Sequence, residues 1–176
     1  MIRVYLVRHG IATDPTPGET DDSRPLTARG RRRFRRAARA FAQLGEEVDQ
    51  LFTSPLVRAV QTAEILARAI KRDEVGVLEE LRPGVPVPGL FAALGKRVEK
   101  GEGVALVGHD PQMSRLVAAL GRLGAEEGAR VDFRKGALVR IDVDGFPPEE
   151  SEPRWHLRPR SRTVVEGLPL ADGSKD

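Results

Sequence analysis

Short apolar runs alternate along this chain with longer amphipathic stretches. Residues 2–7 (IRVYLV) are β-branched and aromatic and stop at Arg8-His9-Gly10, the pattern of a buried strand entering a loop. Residues 11–25 are rich in Thr, Asp, Pro and Gly and read as surface loop. Over residues 27–44, Phe34, Ala37, Ala38, Phe41 and Leu44 recur at helical spacing, with Thr27 placed to cap and Gly45 to stop the helix. Residues 48–53 form a short strand. Ser54 can cap the next helix, Pro55 suits its first turn, and Val60, Ala63, Leu66 and Ala67 share one face as it runs to about Ile70. Residues 75–81 read as extended, 82–89 as a Pro/Gly loop and 90–100 as a further helix. Residues 103–107 (GVALV) have the look of a fully buried strand. Gly108-His109-Asp110-Pro111 then opens a helix, with Asp110 as its cap. Late strands are expected at 137–143 and 154–158, and a loose polar tail at 161–176.

Strands alternating with helices predict an α/β fold, a three-layer sandwich whose mainly parallel central sheet is flanked by helices. A chain of 176 residues suits one domain, read here as residues 1–160 followed by the tail. In such sheets ligands bind beyond the carboxyl ends of the strands. Those ends carry Arg8-His9-Gly10, Ser54 through Arg58, and Gly108-His109-Asp110. Three strand ends thus deliver two histidines and two arginines to one place.

Composition narrows the chemistry. The chain has no cysteine, so a disulfide framework, thiol catalysis and thiolate metal sites are excluded. Its three histidines, His9, His109 and His156, argue against a histidine-rich metal site, and neither metal nor cofactor is expected. No run approaches the roughly 18 apolar residues of a membrane helix, and the first residues lack a signal-peptide pattern. A soluble cytoplasmic protein with no membrane partner is expected.

The net charge is +3 although the isoelectric point is about 9.7. Of the 29 basic residues 24 are arginine, so few groups titrate between neutrality and pH 10 and a small excess moves the isoelectric point far. The value is therefore poor support for nucleic-acid binding. Residues 29–39 (RGRRRFRRAAR) hold seven arginines. They read first as a helix with a solvated arginine face opposite Phe34, Ala38 and Phe41, next as a dock for an acidic partner protein, and last as a nucleic-acid surface. His156, beside Trp155 on a late strand, reads as structural.

Arg8, His9, Arg58 and His109 are the residue types a phosphoryl group needs. Guanidinium forks pair with its oxygens, a helix N-terminus adds donors, and a neutral imidazole can attack phosphorus. Gly10 allows backbone to approach closely.

Leu6-Val7-Arg8-His9-Gly10 resembles the signature of the histidine phosphatase, or phosphoglycerate mutase-like, superfamily. Arg24-Pro25-Leu26-Thr27 with Gly30 is similar to its Leu-Thr-x-x-Gly segment, Ser54 through Ala63 to its Ser-Pro-x-x-Arg-Ala-x-Gln-Thr segment, and Val107-Gly108-His109 to its second histidine motif. Four motifs in order, across about residues 1–158, are far more specific than one. The short form with Arg-Pro-Leu-Thr, Val77 through Leu81 followed by Pro83, and Ala105 through Pro111 looks most like the SixA-type protein-histidine phosphatases.

The resemblance implies that His9 becomes phosphorylated while Arg8, Arg58 and His109 hold the phosphoryl oxygens. Water then releases phosphate. Gly10 and Arg24 would contribute to phosphate or substrate binding, and Thr62 could brace Arg58. Larger members use a mid-chain glutamate as general acid; Glu80 falls there, with Glu79 as its rival, and alternation along an extended 77–81 would put the two on opposite faces. Imidazole leaves with little help, whereas an alkoxide needs protonation. A small site with a weak acid therefore suits phosphohistidine.

Ile11-Ala12 stand where larger members often carry polar residues, and the short stretch from Glu80 to His109 leaves little room for a lid. The implied partner is a protein of the histidine-containing phosphotransfer type. A phosphatase for a small phosphomonoester is the first alternative, and a non-catalytic phosphate-binding or nucleic-acid-binding module is the next.

Overall fold

The computed structural model describes residues 1–171. Seven strands form one sheet: β1 (Ile2–Arg8), β2 (Gln50–Thr53), β3 (Gly76–Val77), β4 (Gly103–Gly108), β5 (Leu138–Val143), β6 (Ser151–Leu157) and β7 (Val164–Glu166). Their order is β3-β2-β4-β1-β5-β6-β7. The first four are parallel, and β5, β6 and β7 extend the sheet antiparallel from β1. The parallel half carries the site, because there the strand ends point the same way.

Alternation along the central strands builds the two cores. Val4 and Leu6 of β1 and Val104 and Leu106 of β4 face one side; Tyr5, Val7, Ala105 and Val107 face the other. The second side is covered by α1 (Ala28–Ala42) and α2 (Val57–Ile70), which contribute Phe34, Ala38 and Phe41, and Ala59, Ala63 and Leu66. The first side is covered by α3 (Val87–Leu94) and α4 (Gln112–Leu120); a short α5 (Ala125–Gly128) follows. The helix pairs on opposite faces make the expected three layers.

Local chemistry explains most boundaries. The Thr27 hydroxyl accepts from Gly30 N at 2.9 Å, capping α1 as expected. Gly30 is where α1 meets the preceding loop: a Cβ there would lie 2.1 Å from the Ile11 carbonyl oxygen. The third helix starts earlier than residue 90 because Pro88 fits the first turn, where its missing N–H costs nothing. Residues 75–81 are not one strand: β3 is two residues long, and Glu79–Leu81 form a 3-10 turn. Part of the expected loose tail joins the fold. Val164–Glu166 pair with β6, and Val131 bridges Leu170; residues 172–176 lie outside the described residues.

On the face of α1 and α2, Glu46 gathers three donors. Tyr5 Oη donates to it at 2.7 Å, Arg140 at 2.7 Å and Trp155 Nε1 at 3.2 Å. Arg140 also pairs with Asp142, which in turn pairs with Arg154. His156 is buried with Nδ1 3.0 Å from the Gly167 carbonyl, a structural role as expected. No helix among the described residues is long and apolar enough to cross a membrane.

Candidate active site

The ends of β1 and β4 run side by side, Arg8 opposite Gly108, and His9 and His109 follow directly. Their rings lie 4.9 Å apart between centroids. Both are buried, as is Arg58 in the first turn of α2.

The His9 ring is set by its neighbour. Nδ1 lies 2.7 Å from the Gly10 carbonyl oxygen, which can only accept, so Nδ1 carries the proton and Nε2 the lone pair. Burial, ahead of the charges of Arg58, Arg8 and Lys135, lowers its pKa to about 4. The arginines act in the expected direction, but desolvation is the larger cause. His9 is thus neutral at physiological pH. His109 is lowered to about 3, again mainly by burial, with His9 and Arg58 adding.

Gly10 serves this geometry rather than an anion. Its N–H donates to Thr62 Oγ1 at 3.1 Å and its carbonyl takes the His9 proton, so neither group is free for phosphate. Thr62 Oγ1 also donates to the Arg58 carbonyl at 2.6 Å. Thr62 therefore ties the His9 loop to α2; its bond to Arg58 is an i−4 contact with the backbone carbonyl inside the same helix and does not reach the guanidinium.

Two residues read as helix caps also orient the site. Ser54 precedes α2 by two residues, and the helix starts at Val57 with no side-chain cap. The Ser54 hydroxyl accepts from Leu56 N at 3.3 Å and lies 2.8 Å from His109 Nε2. One hydrogen is shared between them, supplied by the Ser54 hydroxyl or by Nε2–H according to the tautomer of the ring. The other ring nitrogen, Nδ1, is buried and has no partner among the described residues. Asp110 accepts from Ser114 N at 3.2 Å, one turn into α4, and its other oxygen pairs with Arg8 Nη1 at 2.7 Å. Arg8 Nη1 also donates to the Phe133 carbonyl at 2.7 Å. These contacts span sequence separations that no local pattern reveals.

The loop before α1 folds over the pocket. Asp21 receives Arg58 twice, Nη1 on its carbonyl and Nη2 on its carboxylate, both at 2.7 Å. Arg24 Nη1 reaches the other carboxylate oxygen at 3.3 Å, which places Arg24 beside Arg58. The Arg58 hydrogen bond holds the Asp21 carboxyl below its ordinary pKa. Sequence reading assigned Asp21 to a solvated loop.

The glutamates separate, though not by strand alternation. Glu79 is exposed and pairs with Arg82 at 2.7 Å. Glu80 is half-buried on the 3-10 turn, and its carbonyl accepts from Gln112 Nε2 at 2.8 Å, tying the turn to the start of α4. Among the described residues, no cluster of three or more His, Cys, Asp or Glu side chains could hold a metal ion.

A family model described as histidine phosphatase superfamily (branch 1) matches residues 4–83. An uncharacterized protein of Picosynechococcus sp. is 33% identical over 168 residues, covering 89% of this chain and 99% of its own. The solved structure of the protein histidine phosphatase SixA complexed with tungstate is 26% identical; it covers 92% of this chain and 99% of its own, with a TM-score of 0.78. Mycobacterial glucosyl-3-phosphoglycerate phosphatase shares the fold at 20% identity, covering 86% of this chain and 96% of its own, with a TM-score of 0.66.

Proposed function

This chain belongs to the histidine phosphatase superfamily, and we propose that it hydrolyses phosphohistidine on a protein, with His9 as nucleophile. The observation that carries the reading is the neutral His9 ring, locked by Gly10 with its Nε2 lone pair available, beside His109 and Arg58. Nε2 attacks phosphorus and forms the new N–P bond while the old N–P bond breaks; the substrate ring, protonated on its other nitrogen, takes the electron pair and leaves as neutral imidazole. Arg8 and Arg58 offset the charge on the phosphoryl oxygens; with the Ser54 hydroxyl donating to Nε2, His109 carries its hydrogen on the unpartnered Nδ1 and donates it to one of them. Water then attacks phosphorus, His9 leaves with its lone pair, and inorganic phosphate departs.

The substrate class rests on leaving-group chemistry. Glu79 is committed to Arg82, and Glu80 sits half-buried on a turn. An imidazole leaving group needs little acid, so this environment is sufficient for it. Likeness to SixA over almost the whole chain supports the same choice. A small phosphomonoester is the second reading, favoured by one observation: Gln112 holds the Glu80 turn against the helix that follows His109.

The test is turnover by the protein and its His9→Ala variant on free phosphohistidine, on a phosphorylated histidine-containing carrier protein, and on a panel of phosphomonoesters. His9-dependent release from the carrier above all esters is expected. Preference for one ester would overturn the substrate and keep the mechanism. Failure to trap phosphate on His9 would overturn the mechanism and leave a phosphate-binding module.

A further inference from the structure

On α1, Arg29, Arg32, Arg33 and Arg36 follow one another at i, i+3, i+4 and i+7, which aligns them on one face. Arg160 and Arg162, from the turn after β6, meet that face, and the six arginines line a cavity of about 240 Å³ with Pro159. None of the six makes an ion pair among the described residues. By contrast, Arg58 and Arg24 share Asp21, and Arg140 and Arg154 share Asp142. Arg33 is half-buried, and its Nε is buried without a partner.

The turn that brings up the second segment is built, not incidental. Arg162 takes a left-handed φ of 62°, and its N–H donates to the Arg158 carbonyl at 2.8 Å. A non-glycine residue adopts that conformation at some cost. Like charges converging on one cavity repel, and an anion of high charge density relieves the repulsion. Guanidinium forks suit phosphate oxygens, and six of them exceed what one phosphate can use.

A second cleft of about 750 Å³ adjoins, sharing Arg33, Pro159 and Arg160 and continuing over Ala137, Leu157 and Leu170. It has the size and mixed lining of an organic ligand's site. No member of the His9 pocket lines either cavity.

We propose that this arginine cavity is a second anion site, distinct from the His9 pocket, that binds a condensed phosphate chain, either free or carried on a nucleoside. The two sources differ in whether the adjoining cleft is used. The inference does not rest on the reading of the His9 pocket.

The test is calorimetric titration of the full chain, in chelator, with tripolyphosphate and with a non-hydrolysable adenosine triphosphate analogue. Arg58→Ala weakens oxyanion binding at His9, so binding that survives in that variant belongs to the arginine cavity. Single-site binding is expected there. Combined Arg32→Ser, Arg36→Ser and Arg160→Ser should weaken it about a thousandfold, since each lost charge-assisted contact costs about tenfold. Circular dichroism and thermal unfolding of that combined variant, compared with the parent chain, report its folding. Tighter binding of the analogue assigns the site to nucleoside polyphosphates, and equal binding to the bare chain. Loss of binding in Arg58→Ala, unchanged affinity in the combined variant, or binding only of long oligonucleotides overturns the site.

Discussion

The Asp21 carboxylate sits on the Arg58 guanidinium at 2.7 Å, where a phosphoryl oxygen would sit if Arg58 binds substrate. The same carboxylate reaches Arg24, and its charge is felt by His109. A negatively charged loop residue thus competes with the dianion for one guanidinium. The Arg58 side chain is 6% exposed and that of Asp21 57%, so the contact is wet on one side and displaceable. Asp21→Asn should tighten inorganic phosphate binding about fivefold, the effect of removing a competing pair worth about 1 kcal/mol. Weaker binding in the variant, measured by titration, would mean that Asp21 positions Arg58 for phosphate instead.

The residues legible in the sequence and those that were not differ in kind. Arg8, His9, Arg58 and His109 stand at the ends of strands or the start of a helix, so periodicity alone brought them to one edge. Ser54 and Asp110 were equally visible but only half read: a polar residue before a helix predicts a bond to a free backbone N–H, which each makes, and nothing more. Their deciding contacts, to His109 and Arg8, join residues 55 and 102 positions apart, and no local pattern encodes such pairings. The strand at β7 escaped notice for the converse reason. Three residues in a polar stretch carry too little alternation to register, and pairing with β6 supplies what propensity does not.

Ser54 acts through His109, so its loss should show in the state of the ring. With Ser54→Ala, His109 loses the contact at Nε2 that selects its tautomer. We expect kcat to fall about tenfold with KM little changed, the size of one hydrogen bond lost in the transition state. Nitrogen NMR of the His109 ring should report a mixture of tautomers in place of one. A ring that keeps a single tautomer in the variant would remove Ser54 from the mechanism.

Both site histidines should stay neutral well into acid. Unfolded, each titrates near 6.5; folded, His9 is lowered to about 4 and His109 to about 3. Below pH 6.5 the unfolded chain therefore binds protons that the folded chain refuses. Stability is full above that pH and is lost as pH falls toward the folded values. His9 alone accounts for about 2 kcal/mol between pH 7 and pH 5. Urea unfolding at the two pH values should show a smaller drop for His9→Gln than for the parent chain. Equal drops would place His9 in contact with solvent.

Glu46 should matter to stability and not to turnover. Its carboxylate satisfies Tyr5, Arg140 and Trp155 at once, on the α1 and α2 face of the sheet. Glu46→Ala leaves all three without that acceptor. Breaking a largely buried pair by removing one member costs about 3 kcal/mol. Chemical denaturation should register that loss while His9-dependent turnover at low temperature is retained. A cost below about 1 kcal/mol would show that Arg140 is held by Asp142 alone.

Glu80 divides the two substrate readings. Its turn is held to α4 by Gln112, yet the side chain matters only if the leaving group needs a proton. Glu80→Gln keeps size and hydrogen bonding while removing the acid. On a phosphohistidine carrier we expect turnover within about twofold of the parent, because imidazole departs unaided. On an alkyl phosphate the same change should cost about a hundredfold, the usual contribution of a positioned acid. A large loss on the carrier would make Glu80 part of the histidine chemistry. No loss on either substrate would leave departure to solvent, and ester hydrolysis by this chain would then be slow because no group at the site protonates an alkoxide.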